Sequence, residues 1–146
     1  MGDLTLNFNR EEFACQCANE ECDGGRISQD LVNRLQRARD VYGKAIIISS
    51  GCRCTKHNAS VGGSSTSSHL VKIINKDQTE PRSFAADLII ADLQESFELI
   101  EVLLTAAKFR RVGIRAKGER MFIHVDCDPT KPSSRLWTYD SAPADR

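Results

Sequence analysis

The chain has 146 residues, 40% of them apolar and 27% charged, which fits an ordinary globular domain and excludes fibrous, repeat-array and disordered classes. Twenty basic side chains offset twenty acidic ones, so the positive excess that draws proteins to phosphate backbones is missing and nucleic acid is not an expected partner. The strongly apolar stretches 45–48 and 84–91 fall far short of the roughly 20 residues that cross a bilayer, so no membrane is expected either.

Met1 to Phe8 has neither the basic stretch nor the apolar core of a secretory signal, and Leu6 stands where myristoylation wants a hydroxyl. The expectation is a protein that stays in the cytoplasm until something releases it. Residues 1–27 read as irregular and hold Cys15, Cys17 and Cys22; Cys52, Cys54 and Cys127 follow. In a reducing compartment such residues read as thiols or metal ligands before disulfides.

Ser28 is a good helix N-cap, and Leu31, Leu35, Ala38 and Val41 recur at helical spacing up to Gly43. Ile46-Ile47-Ile48 reads as a buried strand that leads into a Gly-, Ser- and Cys-rich loop over 49–68. Residues 72–82 look like a polar excursion, and Phe84 to Ile90 resumes as strand. A second helix is expected from Gln94 to Lys108, with Phe97, Ile100, Leu103, Leu104 and Ala107 on its apolar stripe. Two short strands, 112–116 and 121–125, flank the hairpin signal Lys117-Gly118-Glu119. From Pro129 the tail is Pro- and Ser-rich, with Trp137 its only large anchor. With no repeat and no interior linker, the reading is one α+β domain over 1–146, built on a small antiparallel sheet flanked by helices.

Four polar residues stand out against these elements. His124 and Asp126 share a face of an apolar strand by the two-residue period, which suits a metal ligand with either a proton-transfer partner or an orienting carboxylate. A water-facing edge pair is the plain alternative. His69 closes the Ser/Gly-rich loop, and Asp87 sits in the middle of an apolar strand. A buried carboxylate needs a positive partner, because desolvating it alone costs several kcal/mol; Arg53, another cation or a metal ion can fill that need. Two imidazoles, one carboxylate and an open position make the donor set of a catalytic zinc.

The ordered segments Ser49-Ser50-Gly51-Cys52-Arg53-Cys54, His57-Asn58, Val61-Gly62-Gly63, Ser67-x-His69, Ala85-x-Asp87 and Phe122-Ile123-His124-Val125-Asp126 resemble the zinc peptidases of family M15. That family includes D-alanyl-D-alanine carboxypeptidases and phage endolysins that cut peptidoglycan stem peptides. The chain is most similar to the small type that consists of the C-terminal catalytic domain of the zinc D-Ala-D-Ala carboxypeptidases, over roughly Phe13 to Asp126. The resemblance implies the small α+β fold shared with the hedgehog signalling domain and one zinc ion on His69, Asp87 and His124. It also implies Arg53 on the substrate carbonyl or carboxylate, Ser67 as a substrate-carboxylate contact, and a peptidoglycan peptide as substrate. A monomer released from the cytoplasm to act on the wall, in the manner of a phage lysin, fits this reading.

Two features depart from the family pattern. Seventeen residues separate His69 from Asp87, where relatives have a short Gly-containing stretch, and Ser83 stands in place of that Gly. Val71 to Arg82 therefore reads as an inserted loop touching the rim of the expected cleft. Met121 occupies the position where many relatives carry an acid, so the expected base is Asp126 or Glu119, with Asp126 favoured. Without either, a non-catalytic zinc-stabilised binding or virion module remains. His57 is expected to make structural hydrogen bonds outside the site, and Cys127 to be a packed thiol. Cys15, Cys17 and Cys22, with Cys52 or Cys54, admit a second, structural zinc, reduced thiols or a disulfide.

Overall fold

A computed structural model describes residues 1–139; the end of the expected tail, 140–146, lies outside the described residues. A 3-10 turn at Arg10–Phe13 precedes helix α1 (Gln29–Tyr42), strand β1 (Ile48–Ser50), helix α2 (Thr55–Ser60), strand β2 (Ala85–Ile89), helix α3 (Phe97–Leu104) and strands β3 (Arg111–Arg115), β4 (Phe122–Asp126) and β5 (Arg135–Thr138). The strands form one sheet in the order β1-β2-β4-β3-β5. The α+β class is as expected. The sheet is not wholly antiparallel, however, because β5 pairs with β3 in parallel. Nothing in Pro129 to Ser134 announces a strand; β5 forms because β3 presents an open edge beside it.

Helix α1 starts where the Ser28 hydroxyl accepts from the Leu31 N–H and stops at Gly43, whose φ of 73° is left-handed and suits a residue without a Cβ. Leu31, Val32, Leu35 and Ala38 are buried, while Val41 lies in solvent at the last turn. Helix α3 is shorter than expected at both ends, and its buried positions are Leu99, Val102 and Leu103, with Phe97 and Leu104 exposed. The apolar run there is broader than its buried face, which hid the phase of the stripe. The strand expected at 46–48 lies further on, because Ser49 and Ser50 are drawn into pairing with β2 despite their weak strand preference.

The helices bury their apolar faces with Phe8, Phe13, Leu88, Phe109, Ile123 and Val125 in one core. On the strands, Asp87 and His124 face the other way. The 72–82 excursion closes on itself: Lys72 and Arg82 exchange backbone hydrogen bonds of 3.0 and 2.9 Å, and the Gln78 amide donates to the carbonyls of Lys72 and Glu80 at 2.9 and 2.6 Å. Lys72 is anchored in turn by Asp128 at 2.6 Å.

Candidate metal centre

The register of the sheet builds the site. In the β2–β4 ladder Asp87 lies directly opposite His124, so the two side chains project from one face at neighbouring positions. His69 arrives from the turn Ser67 to Leu70, which is fixed to the Arg53 segment by backbone bonds from Arg53 N to His69 O at 2.8 Å and from Val71 N to Arg53 O at 3.3 Å. All three residues are buried. His69 Nε2, His124 Nδ1 and one Asp87 oxygen meet: the carboxylate Oδ1 is 3.1 Å from His69 Nε2 and 2.9 Å from His124 Nδ1, and the two nitrogens are 3.2 Å apart.

The outer nitrogens settle what these inner atoms carry. His69 Nδ1 is 2.7 Å from the Gly51 carbonyl, which only accepts, so Nδ1 bears the hydrogen and Nε2 a lone pair. His124 Nε2 is 2.8 Å from Asp126 Oδ2, so in the neutral ring Nδ1 likewise bears a lone pair. Three lone pairs thus converge within 4.8 Å of one another, an arrangement that repels itself unless a cation lies among them. A proton on His124 relieves one contact. In the absence of a metal, burial works against that proton, but the hydrogen bonds to Asp126 and Asp87 outweigh it and hold the group at about 9. The pair of imidazoles holds Asp87 below the ordinary carboxylate range in spite of its burial, and burial drives His69 down. A divalent ion satisfies all three donors at once, and the donor set fits zinc.

The other expected residues fall around this cluster in different ways. Arg53 reaches Asp87 Oδ2 at 3.3 Å and the Ser50 hydroxyl at 3.2 Å, and its side chain remains 15% exposed. Ser67 is buried, with its hydroxyl accepting from the His69 N–H at 3.2 Å, so it shapes the turn that presents the imidazole. A cavity of about 680 Å³ opens over the cluster, lined by Arg53, Ser67, His69, Asp87 and His124 on one side and by the exposed Glu119 on the β3–β4 hairpin.

Asp126 is not in that lining. It lies beyond the far nitrogen of His124, fully buried, where Arg111 Nε donates to it at 2.8 Å and the Asp128 N–H at 3.2 Å. Of the two roles left open by the strand pattern, the geometry matches the orienting carboxylate. No residue of 71–82 lines the cavity, which corrects the expectation that the inserted loop touches its rim. His57, expected outside the site, lies on α2 and does line it.

Four contributors to the site went unread in the sequence. Arg111 stands one step beyond the Val112–Val125 pair, across from Asp126; a hairpin register extended by one residue would have found it. Trp137 packs 5.5 Å from the His124 ring, and the Arg111 guanidinium stacks over its indole at 5.1 Å. Gly113 makes room for this packing, since a Cβ there would collide with the indole nitrogen of Trp137. Gln16 reaches the Ser49 carbonyl at 2.8 Å and lines the cavity.

No curated protein matches the chain. A family model described as peptidase M15 matches residues 6–126, a span that takes in the whole cluster, Arg53 and every cavity-lining residue except Tyr139. Peptidases of this family are zinc-dependent hydrolases, which agrees with a buried His, Asp and His set that can hold a metal ion. By sequence and by the geometry of its site, the chain belongs to the peptidase M15 family.

Proposed function

We propose that this protein is a zinc peptidase that hydrolyses peptidoglycan stem peptides, as a carboxypeptidase or an endolysin-type endopeptidase. The observation that carries the reading is the convergence of three lone pairs on the floor of an open cavity, with a guanidinium beside them and a carboxylate on the rim. His69, Asp87 and His124 would hold the ion. Bound there, zinc supplies a Lewis acid for the scissile carbonyl and a water acidic enough to be a nucleophile near neutral pH.

The protein groups do the remainder. Arg53, fixed by Ser50 and Asp87, offers a preorganised cation to the substrate carbonyl or a terminal carboxylate. Ser67 holds the turn bearing His69 and borders the substrate space. Asp126, pinned by Arg111, keeps the hydrogen on His124 Nε2 and the lone pair on Nδ1. That leaves Glu119 as the carboxylate placed to accept a proton in the cavity and return it to the leaving amine. The chain works as one domain and as a monomer, acting on the wall after release from the cytoplasm, with no nucleic-acid or membrane partner.

The binding-module alternative draws on two observations: Met121 stands in the acid position, and Asp126 is occupied by Arg111. Incubating zinc-loaded protein with muropeptides and weighing the products separates the two. The expected result is loss of terminal alanine or a split stem, abolished by chelator and restored by zinc, and reduced about 10²–10⁴-fold in Glu119→Gln with the metal retained. Zinc-loaded protein that releases no amine from mildly acidic to mildly alkaline pH would establish the binding module.

A further inference from the structure

We propose that Cys15, Cys17, Cys22 and Cys54 form a second, structural zinc site of four thiolates, which clamps the N-terminal segment onto the loop bearing Arg53. The four Sγ atoms all lie within 4.8 Å of one another, and each residue is only half-buried. A tetrahedral zinc with sulfur at about 2.3 Å separates its ligands by about 3.8 Å, so a small contraction closes the set.

Sequence proximity accounts for only part of this convergence. Cys15, Cys17 and Cys22 come from irregular chain, whereas Cys54 precedes α2, and the Cys54 N–H donates to Cys15 Sγ at 3.3 Å across 39 positions. The Cys54 sulfur in turn accepts from the His57 N–H at 3.4 Å. Neutral thiols have little need of such donors; metal thiolates carry charge that backbone N–H groups stabilise. Cys52 is excluded from the set, because it is 2% exposed and packed in the core. Four sulfurs leave no open position, so this site is closed and structural, not catalytic.

Its place in the fold gives it a task. Gln16, between two of the ligands, reaches the Ser49 carbonyl, while Arg53 and His57 flank Cys54 and line the same cavity. The clamp therefore fixes one wall of the substrate space.

Cobalt substitution of the wild-type chain tests this without mutation. Thiolate-to-cobalt charge transfer in the near ultraviolet is expected at full intensity, which two imidazoles and a carboxylate cannot produce. Zinc analysis should find two ions in the wild type and one in the His69→Ala/His124→Ala double variant. That remaining ion should be released by a mercurial reagent and should be lost in Cys17→Ser. Absence of charge transfer in the wild type, with at most one zinc per chain and disulfides or free thiols by intact mass, would overturn the proposal. Iron in place of zinc at the four sulfurs would overturn the identity of the ion. Neither result bears on hydrolysis at His69, Asp87 and His124.

Discussion

His69, Asp87 and His124 owe their meeting to a sheet: the β2–β4 register sets two of them face to face, and backbone bonds deliver the third. Of the four thiols, those of Cys15, Cys17 and Cys22 are gathered from irregular chain and that of Cys54 from the N-cap of α2, and all lie partly in solvent. Paired strands order their side chains before any ligand arrives, because the hydrogen-bond ladder has already met the entropy cost of holding them. Irregular chain lacks that support, and an ion bound there has to do the ordering itself. One cluster is thus a preformed site and the other a fastening.

Chelation should separate the two most sharply. Structural zinc contributes on the order of 10–16 kcal/mol in small thiolate modules, so stripping the protein at neutral pH should raise hydrogen exchange in 14–25 and 52–60 by orders of magnitude. Amides of β2 and β4 should stay protected. Equal loosening of both regions, or of neither, would erase the distinction.

Asp126→Asn probes how far the sheet alone preorganises its cluster. The amide can present its NH₂ to His124 and favour the wrong tautomer, so zinc affinity or hydrolysis should fall about 10–100-fold. Arg111 also loses a buried counter-charge. A dissociation constant equal to that of the wild type would mean that register suffices without the orienting carboxylate.

The smallest effect belongs to the neck of the excursion. Burial raises the Asp128 carboxyl, but hydrogen bonds from Lys72 and Thr130 outweigh it and hold the group at about 2. Its folded value lies below its unfolded one, so the stabilisation is complete above about pH 4 and disappears as pH falls toward 2. Asp128→Asn should lose on the order of 1–3 kcal/mol at neutral pH and flatten the acid limb of denaturant unfolding curves. An acid limb identical to that of the wild type would assign the pH dependence elsewhere.

The metal cluster was legible because its members are chemically out of place: a carboxylate inside Phe84 to Ile90 and an imidazole inside Phe122 to Val125 both demand partners. Helix α1 was legible through Ser28 and Gly43, residues whose caps are local chemistry. What escaped depends on distant chain. Strand β5 exists only against β3, and Arg111 gains its role only when the hairpin register is known. The choice between Cys52 and Cys54 as the fourth sulfur turns on which of them faces the core. Helix α2, six residues long, is too short to show a period.

The self-closed excursion has a practical side. Lys72 and Arg82 come together at its base, and no residue between them lines the cavity. With that base and the Asp128 anchor retained, the residues beyond form a permissive splice point. An epitope or a wall-targeting peptide could be grafted there, giving the enzyme a new address without redesigning its chemistry.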